Sequence, residues 1–210
     1  MILCFGDSLT AGFQAPTREH PTGLETPYGH FLQELLGERV PVQVRGVCGE
    51  LTGEMATRFR REVLQARPNY VVILGGTNDL GWQARPSEVM RNLLKMYELA
   101  RAESIIPVPV TVPSIRVETG AGGPEVEEFL TLHLRARKEL NGLIQAYADS
   151  KGLACLDLFS ATAEPSGGQL MSQYSNDGLH LTTAGYRLMA ERLYEQVFAK
   201  AFPAVMRGGT

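Results

Sequence analysis

Short apolar runs alternate with longer stretches of helical period along the whole chain, and few architectures accept that order. Residues 2–5, 40–44, 70–74, 105–112 and 153–158 have strand length and are rich in Ile, Val and Leu. Residues 28–36, 52–66, 86–103, 126–151 and 182–201 carry their apolar side chains at helical spacing. Repeated strand–helix alternation predicts an α/β protein with a parallel sheet and helices on both of its faces. The strand runs are near-continuous rather than alternating, as expected when both sheet faces are covered. Pro86 opens one helix, where a missing N–H costs little. Gly152 suits the C-cap of another, and Thr182 or Thr183 the N-cap of the last. In that last helix Leu188, Met189, Leu193, Val197 and Phe198 are explained by packing on the sheet. No internal repeat and no linker interrupts the pattern. One domain over residues 1–210 is expected, in line with a prior of about 150 residues per domain.

Three long connections stand out: residues 13–27, 113–124 and 160–178. Loops of that length in a compact α/β protein are commonly functional. In this class ligands bind beyond the carboxyl ends of the strands, so functional residues are expected just after strands.

Composition narrows the chemistry. Lys and Arg number 20 against 23 Asp and Glu, a formal charge of −3. Proteins that neutralise many phosphates usually carry a basic excess, so nucleic acid is not the expected partner. Arg58, Arg60 and Arg61 form a local cluster whose spacing predicts the wet face of a helix. Cys4, Cys48 and Cys155 are an odd count without a CxxC pair, which excludes a disulfide framework and the usual zinc spacings. Cys4 and Cys155 lie in apolar runs, as small hydrophobes do. Met1 leads into Ile2-Leu3-Cys4-Phe5 with no basic start or signal-type apolar stretch. No run approaches the ~20 apolar residues of a membrane span. No membrane insertion is expected. The expected location is cytoplasmic if Met1 is the native start, with a trimmed secreted or periplasmic form as the alternative.

Four segments that follow strands or precede the last helix carry the reactive side chains. They are Gly6-Asp7-Ser8-Leu9-Thr10-Ala11-Gly12, Gly46-Val47-Cys48-Gly49-Glu50, Gly75-Gly76-Thr77-Asn78-Asp79 and Asp177-Gly178-Leu179-His180. A doubly wound sheet brings such segments to one edge. Together they hold the parts of an acyl-transfer site. Ser8 offers a hydroxyl at a strand–helix junction, where free backbone N–H groups favour developing negative charge. His180 fits a general base, and Asp177 fits the group that fixes its tautomer. The Gly49 N–H and the Asn78 amide are candidate oxyanion donors. Each has a plainer reading when taken alone. Ser8 reads first as the cap of the following helix, Asp7 as a turn-bonding carboxylate, Gly49 and Asn78 as turn residues, and Asp177-x-x-His180 as a surface turn. His20, His30 and His133 lack an acidic partner at useful spacing and read as structural or solvent-exposed. The absence of G-x-S-x-G excludes the usual nucleophile elbow, and the absence of G-x-x-x-x-G-K-[ST] excludes a P-loop.

Gly6-Asp7-Ser8-Leu9, Gly49, Gly76-Thr77-Asn78-Asp79 and Asp177-x-x-His180 resemble the four signature blocks of the GDSL, or SGNH, hydrolases. The blocks run from residue 6 to residue 180. The resemblance implies a three-layer α/β/α sandwich with a flavodoxin-like five-stranded parallel sheet in the order 2-1-3-4-5. It also implies a Ser8–His180–Asp177 triad and an oxyanion hole from the Ser8 and Gly49 N–H groups and the Asn78 amide, with no metal or cofactor. Three positions depart from the family pattern: Val44 and Cys48 stand where Asn and Ser are common, and Leu181 where Pro often follows the His. Cys48 is expected to pack.

The expected function is a serine esterase that hydrolyses short-chain or aryl carboxylic esters through an acyl-enzyme. The alternatives are a carbohydrate acetyl esterase, a lysophospholipase or thioesterase, and a catalytically silent ligand-binding module. The expected partner is a small-molecule ester. Trp82, four residues after Asn78, is a candidate pocket wall, with core packing as the alternative. Residues 113–124, with Ile115, Val117 and a Gly-Ala-Gly-Gly run, are a candidate lid.

Overall fold

The structure, a computed structural model, describes residues 1–117 and 123–202. Its strands are β1 (Ile2–Gly6), β2 (Phe13–Gln14), β3 (Leu24–Glu25), β4 (Val42–Gly46), β5 (Tyr70–Leu74) and β6 (Ile106–Pro109). Its helices are α1 (Ser8–Ala11), α2 (Tyr28–Leu36), α3 (Thr52–Phe59), α4 (Thr77–Gly81), α5 (Pro86–Ala102), α6 (Pro124–Lys151), α7 (Leu158–Thr162) and α8 (Thr183–Leu193). π-helical turns at Arg60–Leu64 and Tyr194–Phe198 extend α3 and α8.

The main sheet is parallel, in the order β4-β1-β5-β6. Strand parity divides the core into two layers. Ile2, Cys4, Val72 and Leu74 face α2 and α8, where Tyr28, Leu32, Met189 and Leu193 are fully buried. Leu3, Phe5, Val71 and Ile73 face α3, α5 and α6, against Met55, Phe59, Met96 and Ile144. Burying each such side chain contributes roughly 1.5–3 kcal/mol, so these two layers dominate the stabilisation. The three-layer α/β/α arrangement expected from the sequence is therefore present.

The expected fifth strand is reduced to one parallel bridge, Val110 to Leu156. The cause lies in β6. Ile106 and Val110 donate their N–H groups toward β5, to Asn69 and to Ile73. The alternate residues, which face the other way, are Pro107 and Pro109, and neither has an N–H to give. Only Thr111 N to Leu156 O (2.9 Å) and Leu156 N to Pro109 O (3.0 Å) survive on that side. The chain then leaves the sheet at once, because Asp157 caps α7 by accepting from Ser160 N.

The long connections carry more order than expected. The 13–27 segment holds the antiparallel pair β2–β3. The 160–178 segment contains most of α7 and a 3-10 turn at Ser172–Tyr174. Of the candidate lid at 113–124, residues 118–122 lie outside the described residues, and α6 begins at Pro124 rather than at 126. Among the described residues no helix is long and apolar enough to cross a membrane.

The register places the site. Gly6 pairs with Gly46 on one side and Leu74 on the other, so three strands end at one level. Gly46 is required there: a Cβ at this position would run into the backbone of Ala11, where α1 crosses the strand end.

Candidate active site

Helix α1 starts directly after β1 and carries Ser8 at its first position. Asp7, not Ser8, is the N-cap: its carboxylate accepts from Leu9 N at 3.0 Å. Ser8 is thereby released from the capping role that its position suggested. Its hydroxyl lies 3.1 Å from His180 Nε2. The other ring nitrogen, Nδ1, lies 2.7 Å from Asp177 Oδ2. Ser8, His180 and Asp177, separated by up to 172 residues, are thus joined in one hydrogen-bonded chain. Ser8 is 5% exposed, and the His180 and Asp177 side chains are 18% and 30% exposed.

The loop that carries Asp177 and His180 folds on its own carboxylate. Asp177 Oδ1 accepts from Leu179 N at 2.9 Å and from His180 N at 2.8 Å. Burial pushes the Asp177 carboxyl up, but these bonds and the His180 ring outweigh it and hold the group well below the usual carboxylate range. The Phe13 ring packs edge-on against His180 with centroids 4.7 Å apart. Gln14 clamps the same region by donating to Thr183 Oγ1 and accepting from Thr183 N.

Gly49 sits in a tight turn in which Glu50 N donates to Val47 O. Its φ of +78° is one that glycine adopts without strain. Asn78, in α4, donates from Nδ2 to Glu50 O at 2.9 Å, which ties the third block to the second. An amide NH₂ has a second donor, and that one remains. Among the described residues the N–H groups of Ser8 and Gly49 donate to no protein acceptor.

Behind this shelf lies a network that the sequence did not announce. Arg58 is buried rather than on a wet face. It bonds Glu50 through Nε and Nη2 and donates to Gly6 O at 3.0 Å and Arg45 O at 3.2 Å, with its guanidinium 4.0 Å from the Phe5 ring centroid. One side chain therefore joins the ends of β1 and β4 to the Gly49 turn. Asp79 accepts from Thr52 N and Thr52 Oγ1, which fixes α4 against the start of α3. Cys48 is exposed, not packed.

A cavity of about 410 Å³ opens beside Asn78 and Asp177. Trp82 and Phe129 form walls, with Ile115, Val117 and Leu179 among the other apolar lining residues. Trp82 is 81% exposed, so it lines the cavity and does not pack in the core. His133 and Arg137 reach the same cavity from α6. The sequence reads His133 as structural or solvent-exposed and assigns Arg137 no role, although their spacing of four residues places them on one helix face. Among the described residues no cluster of three or more His, Cys, Asp or Glu is placed to hold a metal ion.

Residues 4–188 match the model of the GDSL-like lipase/acylhydrolase family. The chain belongs to that family. Solved structures of similar shape are a lipase/acylhydrolase from Enterococcus faecalis, a carbohydrate acetylesterase from Sinorhizobium meliloti and an aryl esterase from M. smegmatis. The first has a TM-score of 0.72 at 25% identity, over 95% of this chain and 95% of that one. The second has 0.74 at 21%, over 95% and 98%. The third has 0.74 at 20%, over 94% and 98%. A curated relative, the uncharacterized lipoprotein YqeF of Bacillus subtilis, is 27% identical over 116 residues. That match covers 52% of this chain and spans about half (47%) of the relative. In this GDSL-family protein all four signature blocks stand at one edge of the sheet.

Proposed function

We propose that this GDSL-family chain is a serine esterase for short-chain or aryl carboxylic esters, as a single domain acting without metal or cofactor. The observation that carries the reading is the Ser8–His180–Asp177 chain, at 3.1 and 2.7 Å, beside an apolar-walled cavity. Ser8 Oγ attacks the ester carbonyl while His180 Nε2 takes its proton, and Asp177 holds the Nδ1–H and offsets the imidazolium charge. The N–H groups of Ser8 and Gly49 and the remaining Asn78 donor stabilise the oxyanion. His180 then protonates the leaving alcohol, which departs and leaves the acyl group on Ser8. Water, deprotonated by His180, releases the acid and restores Ser8. A cavity of this size with Trp82 and Phe129 as walls suits acyl or aryl groups larger than acetyl.

Hydrolysis of p-nitrophenyl esters from acetyl to decanoyl tests this, with wild type and Ser8→Ala measured side by side. Wild-type turnover should peak beyond acetyl, and Ser8→Ala should lower it by about 10⁴-fold or more. Equal rates for the two proteins refute the serine mechanism. Activity confined to acetylated sugars replaces the ester class with carbohydrate acetates.

A further inference from the structure

The cavity beside the triad has apolar walls but an ionic floor. Arg137 is 1% exposed, yet it lines this space. Its Nη1 donates to Pro113 O at 2.9 Å and reaches Thr77 Oγ1 at 3.4 Å. Its Nε is buried with no partner, and no acceptor bonds its Nη2 among the described residues. The other charged groups of the lining are already matched: Arg116 with Glu164 at 2.6 Å, and Asp177 with His180. Arg137 has no carboxylate within ion-pair distance among the described residues. The carboxylate whose charge acts on it is Asp7. Burial drives Asp7 itself toward its neutral form, so it offsets that cation only in part.

A buried guanidinium with open donors is costly unless something completes it. One helical turn earlier, His133 lines the same cavity, 8% exposed and packed against Phe129 with ring centroids 4.1 Å apart and the planes tilted by 42°. Its ring nitrogens bond nothing among the described residues. Burial and the Arg137 charge lower its pKa from the usual histidine value and so favour the neutral ring, which donates one N–H. A cation and a neutral donor, both buried themselves, lie on one helix face flanked by Trp82, Ile115 and Phe129 and form a candidate anion site, where charge-assisted bonds are strong.

We propose that this cavity takes an acyl group that ends in a carboxylate, held by Arg137 with His133, so that the preferred substrates are monoesters of short dicarboxylic acids. This deepens the esterase reading and rests on it. The ester carbonyl lies at Ser8, and the distal carboxylate replaces the missing acceptor at Arg137.

The test compares monomethyl succinate, glutarate and adipate, each against its neutral amide of equal length, by acid release. Wild type should prefer the anionic ester of the best-fitting length by about 10- to 100-fold in kcat/KM, mainly through KM. In Arg137→Gln that ratio should fall toward one. An Arg137 that only supports the fold would lower both substrates together and leave the ratio unchanged, which overturns the proposal. Equal wild-type rates on the anionic ester and its amide overturn it without any Arg137 variant. If no ester is cleaved, the esterase reading fails, and calorimetric titration of Ser8→Ala with the same pairs decides the anion site alone. Binding of the anionic ester and not the amide supports the site. Equal binding, or none, removes it.

Discussion

The shelf that carries Ser8, Gly49 and Asn78 is held by buried bonds between residues far apart in the chain, whereas the loop that carries Asp177 and His180 is held largely by itself. On the shelf, Arg58 reaches Gly6, Arg45 and Glu50, and Asp79 reaches Thr52. In the loop, Asp177 accepts from the N–H groups of Leu179 and His180, two and three residues on, and pairs with the His180 ring. The first arrangement makes position depend on folding. The second makes it depend on a few local bonds, anchored by Arg116 N donating to Gly178 O and by the Ser175–Leu181 bridge. A residue of the loop can therefore be changed with limited cost to the fold, and the side chains whose buried bonds build the shelf, Arg58 and Asp79, cannot.

Asp177→Asn should give the largest effect on catalysis. The amide oxygen still accepts from Leu179 and His180, but the ring loses its charged partner. We expect kcat to fall by about 10⁴-fold, with a smaller loss of stability at neutral pH than a shelf variant shows, because only the carboxylate's charge is removed. A midpoint that drops by many degrees would erase the contrast between the two regions.

Arg58→Met should do the reverse. It leaves the Glu50 carboxylate buried without its partner, a loss of about 3–5 kcal/mol, or roughly 10 °C in midpoint. Adding Glu50→Gln should recover much of that stability, because the stranded charge is removed. Denaturant unfolding of the two variants checks both statements. A single variant as stable as wild type would show that the shelf does not depend on this pair.

The smallest effect sharpens the comparison through pH. Burial raises the Asp7 carboxyl from 3.8 to about 7, against the opposing pull of the Leu9 N–H and the His180 charge. The folded chain therefore holds this proton more tightly than the unfolded chain. The stability from it is complete below about pH 4 and is lost as pH rises toward 7. Asp177 works in the other sense, adding stability above pH 3.8 that is lost on acidification. Between pH 5 and 8 only Asp7 contributes a slope of the two. Asp7→Asn keeps an acceptor for Leu9 and should flatten that slope, gaining about 1–4 kcal/mol at pH 8. Unfolding free energies at pH 5 and 8 measure it, and an unchanged slope would remove Asp7 as its source.

What was legible in the sequence follows the same division. The meeting of Ser8, His180 and Asp177, on which the proposed triad rests, is readable because each sits in a short block after a strand or before a helix, where residue type and local spacing carry the signal. Arg58 was misread because helical periodicity reports a face, not what that face meets. Glu50 becomes its partner only through the Gly49 turn. Arg137 has no sequence reading and His133 reads only as structural or solvent-exposed, because a helix face gains meaning only when the sheet brings it to a cavity. Ser8 looked like a cap because Asp7 beside it is an equally good one, and only the backbone path decides between them. The two prolines of β6 were visible, but not which neighbour their missing donors faced.

Those prolines also bear on the chain before folding is complete. A parallel strand with open donors along one side is a template on which another copy can lay its own backbone. β6 presents carbonyl groups there but no N–H at positions 107 and 109. A half-folded molecule therefore ends its sheet on a side that a second chain cannot zip onto, so the residues that cost the fold a strand also guard it against pairing with itself.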